Sequence, residues 1–403
     1  MTTIDLDPTT DFDPEARLPG AADPWASTST PSPRSGPPYH MTDMIAAEPA
    51  LAERILGRLA GPDGGAARLA ALIREVAHFG EPIVVTGCGT SEHGALGVAD
   101  ILAEAMRDAG VAAPRPVAAQ AFELVLEPPS SGLVIGISHE GGTAATNRAL
   151  EAARAAGART AIVTASDRSP GAALADEVVA TEELDQSWCH TVGYVSPLLA
   201  AVAVGAALRG EAADATAIRA LLADGARDTA SAEAMAATLA DARHLIVIAS
   251  GADRTAGREL TLKIEEASWI PTSYRDLETF LHGHLPSTDG ATGLVLVLSD
   301  RQGRAERVAR ARQALAAAGV VGLSCAAILS ADAATSIDPA MTRAGRLVVP
   351  EAPGLPSAVA ALLGTATALQ LLTERIARAR GTNPDPIRRD DPRYVAAATA
   401  AEG

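Results

Sequence analysis

The sequence predicts an α/β protein of two doubly wound domains, each with a parallel sheet covered by helices. Short apolar runs such as residues 83–89, 133–138 and 160–166 alternate with helical stretches, which is typical of buried parallel strands joined by helices. The same alternation returns in residues 243–379, so the second half repeats the architecture of the first. A length of 403 residues also exceeds one ordinary domain and suits two.

Each half is expected to form a flavodoxin-like sheet, in which ligands bind beyond the carboxyl ends of the strands. In the first half, strands are predicted at 83–89, 133–138, 160–166 and 177–181, and helices at 91–108, 143–156 and 190–210. In the second half, strands are predicted at 244–251, 293–300, 320–325 and 346–350, and helices at 254–269, 303–318 and 356–379.

The segments outside these sheets follow from composition. Residues 1–38 are rich in Asp, Pro, Ser and Thr without periodicity, so a disordered tail is expected there. A helical pattern begins at residue 39 and leads into the first domain. The predicted divisions are the tail (1–38), the leading helix with the first domain (39–210), a helical connector (211–242), the second domain (243–379) and a C-terminal tail (380–403).

The charge and the apolar pattern exclude several classes of partner. With 33 basic and 49 acidic residues, the net charge of −16 argues against nucleic acid or an anionic membrane as a partner. No apolar run reaches about 18 residues and no basic-then-apolar leader is present, so a soluble cytoplasmic protein is expected. Cys88, Cys189 and Cys325 lie far apart without a CxxC pair, which predicts neither a disulfide framework nor a zinc ribbon.

Two polar loops follow predicted strands of the first sheet, "GCGTSEHG" (87–94) and "SHEGGTAAT" (138–146). Small residues let backbone N–H groups converge there, and the following helix start adds partial positive charge, which suits an anion. The first loop alone could be a plain helix cap. The pair of loops in one sheet is more specific and predicts an anion site, although Glu140 places a carboxylate inside it.

A third motif lies on the predicted helix at 254–269. Glu259, Lys263 and Glu266 are spaced i, i+4 and i+7 and therefore share one helical face. A solvated salt-bridge face and a site with paired carboxylates both fit this spacing.

These motifs resemble, in the family's order and over residues 39–394, the sugar isomerase (SIS) family. The closest likeness is to its double-SIS members, the isomerase half of glucosamine-6-phosphate synthases and the amino-sugar-phosphate deaminase/isomerases. The matching stretches are "YHMTDMIAAEP" (39–49), "GCGTS" (87–91), "SHEGGTAAT" (138–146), "ELTLKIEEAS" (259–268), "LHGHL" (281–285) and "RGTNPDPIRRDDPRY" (380–394).

The resemblance implies a sugar-phosphate site and assigns its residues. Ser91, Ser138 and Thr143 match hydroxyl ligands of the phosphate. The remaining residues implied to bind phosphate or substrate are Cys88, Gly89, Thr90, His139, Glu140, Gly141 and His190. No cofactor and no metal are implied. Five of the eight histidines lie in these loops, but none has the tight spacing of a metal site, so hydrogen bonding to substrate is the better interpretation.

The resemblance also implies the chemistry. Glu266 matches the base that moves a proton between C1 and C2 of the open-chain sugar through an enediol, and Lys263 would position or neutralise charge beside it. His282 matches the histidine that assists ring opening, in the family within a neighbouring subunit's site, so a homodimer or larger homo-oligomer is expected. The expected function is aldose–ketose isomerisation, or isomerisation coupled to deamination.

Four departures keep alternatives open. Glu140 and His139 replace a phosphate-binding Ser and a Gln, and Trp188 is bulkier than the small residue expected, so an unphosphorylated sugar derivative is an alternative substrate. The C-terminal tail lacks the lysine that forms an imine in glucosamine-6-phosphate synthase, and arginine cannot replace it. No N-terminal Cys is present for a glutaminase, so glutaminase activity is not expected. A non-catalytic sugar-phosphate-binding regulatory protein is the alternative from another class.

Overall fold

A computed structural model describes residues 11–26 and 34–402 of the chain. It contains two five-stranded parallel sheets flanked by helices, which confirms the predicted fold class. The strands of the first sheet are β1 (Ile83–Gly87), β2 (Val117–Gln120), β3 (Leu133–Ile137), β4 (Arg159–Thr164) and β5 (Glu177–Ala180). Those of the second are β6 (His244–Ala249), β7 (Thr272–Asp276), β8 (Thr292–Leu298), β9 (Ser324–Ser330) and β10 (Gly345–Val349).

The two sheets have the same topology. The strand order is β2-β1-β3-β4-β5 in the first and β10-β9-β8-β6-β7 in the second. Numbered within each half, both orders are 2-1-3-4-5, the flavodoxin-like order. The central strands β1, β3 and β8 are buried along their whole length because helices cover both faces, which explains their nearly continuous apolar sequences.

Helices before and between the strands build the outer layers. The described part of the chain contains α1 (His40–Leu59), α2 (Gly65–His78), α3 (Thr90–Asp108), α4 (Ala121–Leu126), α5 (Ala144–Ala156), α6 (Val192–Arg209), α7 (Ala215–Gly225), α8 (Thr229–Leu239), α9 (Asp253–Ser268), α10 (Leu277–Phe280), α11 (Arg304–Val321), α12 (Ala331–Ser336), α13 (Ser357–Arg380) and α14 (Pro392–Glu402). The predicted connector consists of α7 and α8, each begun by an aspartate whose side chain caps the first turn.

The two most apolar helices lie in the core. By length and composition alone α6 and α13 could span a membrane, but 89% and 94% of their apolar windows are buried inside the protein. Helix α6 packs against α3, and α13 packs against α7, α8 and α9. Helix α3 of the first half also contacts α9 of the second, so α9 lies beside the strand ends of the first sheet.

The structure differs from the sequence prediction at one strand. Residues 320–325 were expected to form a strand, but Val320 and Val321 end α11, and β9 begins only at Ser324. Gly322, with φ at +94°, ends the helix, and Val320 is 90% exposed. Two adjacent valines therefore resemble a buried strand in sequence while they close an exposed helix end.

Part of the expected N-terminal tail contacts the first domain. Of residues 1–38, the structure describes 11–26 and 34–38, and residues 1–10 and 27–33 lie outside the described residues. Leu18 is buried in the core, and its N–H donates to the Glu183 carboxylate over 2.9 Å. Trp25 Nε1 donates to the Glu140 carbonyl over 3.1 Å, so this segment supports the second polar loop.

Candidate active site

The first polar loop joins β1 to α3 at the carboxyl edge of the first sheet. Gly89 precedes the helix with φ at +57°, a conformation that glycine adopts without strain. Thr90 and Ser91 form the first turn of α3, where the helix dipole favours an anion. The Thr90 hydroxyl is 3.3 Å from Glu259 Oε1, to which it donates, so it connects the loop to α9. Both Thr90 and Ser91 line the cavity described below.

The second polar loop joins β3 to α5. Ser138 is fully buried, and its hydroxyl donates to Thr143 Oγ1 over 3.1 Å at the start of α5. Gly141 has φ at +73°, and a Cβ there would lie 2.1 Å from the Ser169 hydroxyl, so only glycine fits. Ser138 thus supports the loop from behind, and Thr143 and Glu140 face the cavity.

His139 is held in one protonation state by its surroundings. Its Nε2 accepts the Asp185 N–H over 2.8 Å, which leaves the proton of the neutral ring on Nδ1. Burial, together with the nearby charge of His190, lowers the pKa of His139 to about 4. At neutral pH the ring is therefore an uncharged hydrogen-bond donor and acceptor. The glutamine that His139 replaces in the resembling SIS loop has the same properties.

The carboxylates of α9 flank a buried lysine. Lys263 Nζ lies 2.6 Å from Glu266 Oε2 and 3.6 Å from Glu259 Oε1, and the lysine side chain is fully buried. Burial lowers the pKa of Lys263, but the charges of Glu266 and Glu259 outweigh it and raise the pKa above its usual value. The ammonium is thus charged at neutral pH and donates a hydrogen bond to Glu266. These three residues therefore do not form a solvent-exposed salt-bridge face, which their i, i+4 and i+7 spacing also allowed.

Glu259 joins the two halves of the molecule. Its Oε2 accepts a hydrogen bond from His93 Nδ1 over 2.7 Å, and its Oε1 accepts from Thr90. Burial raises the pKa of Glu259, but Lys263 and His93 more than compensate and hold it below the usual value. A charged, fully bonded carboxylate therefore fixes α9 against the first polar loop. Glu266, two turns further along the same face, keeps its side chain 22% exposed.

The C-terminal tail crosses the same region. The Arg389 guanidinium lies 4.0 Å from the centre of the Trp188 ring. The backbone N–H of Trp188 donates to the Asp385 carbonyl over 3.1 Å. Arg388 lies between the rings of Trp269 and Tyr394, 4.2 Å from each centre. These stacked contacts hold the tail over the edge of the site.

These elements enclose a cavity of about 520 Å³. It is lined by Cys88, Gly89, Thr90, Ser91, His139, Glu140, Thr143, Trp188, His190, Gly193, Glu266, Ile387 and Arg389. Most of the predicted binding residues and Glu266 thus meet in one place. Ser138, Gly141 and Lys263 lie behind its wall, and His282 lies elsewhere. Of the described residues, no group of three or more His, Cys, Asp or Glu has the geometry to hold a metal ion.

Sequence reasoning did not include Arg389, Ile387 or Gly193 in the site. The only signal for Arg389 was the resemblance of residues 380–394 to the family's C-terminal tail, and no local pattern in the sequence singles out this arginine. His282 is on the surface of the chain, 67% exposed, with Nε2 2.7 Å from Glu278 Oε1.

At the equivalent strand ends of the second sheet, two aspartates bond to backbone N–H groups. Asp253, the first residue of α9, accepts the N–H groups of Ser299 over 2.7 Å and of Asp300 over 2.9 Å. Asp300 Oδ2 accepts the Ala252 N–H over 3.0 Å and pairs with Arg307 over 2.6 Å. These carboxylates therefore occupy backbone donors after β8 and at the start of α9.

Replacing His139 with glutamine is expected to flatten part of the pH dependence of stability. The folded-state pKa of about 4 is below the value of 6.5 expected in the unfolded chain, so only the unfolded state binds a proton between them. The stabilisation is complete above pH 6.5 and is lost as the pH falls towards 4, by up to about 3 kcal/mol. Urea unfolding of both proteins at several pH values measures it. Parallel curves for the two proteins would contradict a neutral buried ring.

The comparisons with known proteins agree with this architecture. Residues 80–208 match the sequence model of the SIS domain. No curated protein sequence matches the chain. Among solved structures, the C-terminal domain of glucosamine-fructose-6-phosphate aminotransferase from Francisella tularensis has a TM-score of 0.74 at 18% identity, covering 88% of this chain and 100% of that one.

Two further solved structures have the same fold. Tagatose-6-phosphate ketose/aldose isomerase from Escherichia coli gives a TM-score of 0.66 at 17% identity, over 89% of this chain and 98% of that chain. Glucosamine-6-phosphate deaminase from Thermotoga maritima gives 0.58 at 16% identity, over 81% and 98%. At these identities the likeness shows a shared fold.

Proposed function

Because this chain carries a SIS domain at residues 80–208 and shares its two-sheet fold with enzymes of sugar phosphates, we propose that it transfers a proton between C1 and C2 of an open-chain sugar phosphate. The reaction is aldose–ketose isomerisation, or isomerisation coupled to deamination of an amino sugar. One observation carries the proposal: the Glu266 carboxylate lines the same cavity as the two polar loops that suit an anion.

In this proposal the polar loops bind the phosphate. Ser91 and Thr143 supply hydroxyl groups at the starts of α3 and α5, where two helix dipoles converge. Arg389 adds a positive charge on the opposite wall. This local positive charge allows an anion to bind despite the net charge of −16.

Glu266 acts as the base. It accepts the C2 proton, which leaves an enediolate across C1 and C2. A proton moves from O2 to O1, and the same carboxyl group returns its proton to C1. Lys263 lies behind Glu266 and outside the cavity wall, so its role is to hold the carboxylate in place and balance its charge. A permanently protonated amine is not a nucleophile, which argues against an imine on Lys263.

A second candidate substrate is an unphosphorylated sugar derivative. Glu140 favours it, because a carboxylate that lines the cavity beside the second loop repels a phosphate dianion. The Trp25 side chain donates a hydrogen bond to the Glu140 carbonyl, which fixes the backbone of Glu140 within the second polar loop.

Proton NMR in D₂O tests the proposal and identifies the substrate class. The protein is incubated with glucose, glucosamine, their 6-phosphates and fructose 6-phosphate. Loss of the C2–H signal from an aldose phosphate, or of a C1–H signal from fructose 6-phosphate, is the expected result, and exchange confined to the unphosphorylated sugars would favour the second candidate. The absence of exchange, with a ligand still bound in a thermal-shift assay, would contradict catalysis and favour a regulatory binding protein.

We further propose that the protein is cytoplasmic and forms a homodimer or larger homo-oligomer.

A further inference from the structure

A buried carboxylate lies behind one histidine of the cavity. Asp185 follows β5, and its side chain is fully buried. Its Oδ1 accepts the Ser187 N–H over 3.0 Å, and its Oδ2 accepts those of Thr191 over 2.7 Å and Gly193 over 3.1 Å. Burial raises the pKa of Asp185, but His190 and these donors outweigh it and hold the pKa below its usual value. The carboxylate is therefore charged.

His190 presents one ring nitrogen to this carboxylate. Its Nδ1 lies 3.7 Å from Asp185 Oδ2, is buried, and has no hydrogen-bond partner within the described part of the chain. Catalytic hydrogen bonds are often long without substrate, and a small rotation of the ring would close this one. The His190 ring lines the cavity. The buried nitrogen without a partner therefore belongs to a residue that can reach the substrate.

The other charged and titratable groups around His190 are few. Beside it lies His139, whose ring centre is 5.6 Å away and which remains neutral at physiological pH. Glu266, Glu140 and Arg389 line the same cavity. Asp185 is the group placed to interact with Nδ1.

We propose that His190, positioned by Asp185, opens the sugar ring in the same subunit that supplies Glu266. The inference rests on the proposed function, because ring opening matters for a sugar that then undergoes proton transfer. The imidazole Nε2 removes the proton from the anomeric hydroxyl, and C1=O1 forms as the C1–O5 bond breaks. The imidazolium then gives that proton to O5. The Asp185 carboxylate keeps the Nδ1–H tautomer and stabilises the transient cation.

His282 is the competing candidate for this step. By resemblance it would reach a neighbouring subunit's cavity, but in its own subunit it is paired with Glu278, whose carboxylate also binds Arg310. The two candidates differ in a measurable way. A residue of the same subunit as Glu266 cannot be replaced by a partner subunit, whereas a residue from a neighbour can.

Exchange spectroscopy of the two anomers of glucose 6-phosphate or glucosamine 6-phosphate measures ring opening without C2 exchange. Wild-type protein is expected to accelerate anomer interconversion, and His190→Gln to lower that acceleration about 100-fold or more. His78→Gln, an exposed histidine on α2, is the matched control. Anomer exchange without C2 exchange in the wild type would support this inference while contradicting the proposed function. Full acceleration by His190→Gln overturns the inference.

Two additional variants keep the result independent of folding. Adding free imidazole to His190→Ala is expected to restore part of the acceleration, which a structural role would not allow. Asp185→Asn is expected to move the acid limb of the pH–rate profile to lower pH, because the imidazolium loses its counter-charge; an unmoved limb would contradict the positioning role. Mixed oligomers of His190→Gln and Glu266→Gln are expected to recover no C2 exchange. Recovery would place His190 in a neighbour's site and overturn the proposal.

Discussion

Replacing Glu266 with glutamine is expected to lower the rate of C2–H exchange about 10³-fold while ligand binding persists. Glutamine keeps the size of the side chain but cannot accept the proton, and general-base catalysis typically contributes 10²–10⁴-fold. Lys263 retains Glu259 as a charge partner 3.6 Å away, so the helix face should stay folded. Exchange is measured by NMR in D₂O and binding by thermal shift.

The neighbouring carboxylate provides the control for this variant. Glu265 is on the same helix, and its Oε1 accepts the Thr272 N–H over 3.1 Å, a bond that Glu265→Gln can preserve. Glu265→Gln should lower the exchange rate by no more than about threefold. This is far less than the loss expected when a catalytic base is removed. Equal loss in both variants would indicate a general disturbance of α9, and unchanged exchange in Glu266→Gln would remove Glu266 from the mechanism.

Replacing Lys263 with methionine is expected to lower the free energy of unfolding by about 3–5 kcal/mol, because one buried partner of an ion pair is removed. Glu266 can turn towards the solvent that already reaches it, but Glu259 is almost fully buried and would retain its charge without the ammonium. Urea unfolding monitored by circular dichroism measures the loss.

A double variant separates charge from packing in this prediction. Glu259→Gln combined with Lys263→Met removes both members of the buried pair and is expected to recover a large part of the lost stability. Recovery would show that the isolated carboxylate, and not the volume of the lysine, causes the loss. A decrease below about 1 kcal/mol in the single variant would contradict the buried ion pair, since that is the range of surface pairs.

The parts of the fold that could be predicted are those with a strong local pattern. The buried strands β1, β3 and β8 are apolar throughout, and the long apolar stretches located α6 and α13. The short strands β2 and β7 were not predicted. Each is at or next to the edge of its sheet and only partly buried, so its sequence has no apolar run.

The same distinction applies to the candidate site. The two polar loops and the carboxylate face were visible because glycine spacing and helical periodicity are local properties. Arg389 and Asp185 were not, because their positions depend on where the tail and the loop after β5 pack. Trp25 belongs to a segment without periodicity, so its hydrogen bond to the Glu140 carbonyl could not be predicted from the sequence.

The shared topology of the two halves has a consequence for how such a protein can change during evolution. Two halves with one strand order are what a duplicated gene would leave, but they contribute different parts of the candidate site. The first half supplies the two polar loops, and the second supplies α9, the helix that carries Glu266. Neither half holds a complete set of groups, so loss or exchange of either one by recombination would abolish the site. Selection must therefore retain both halves as a single unit.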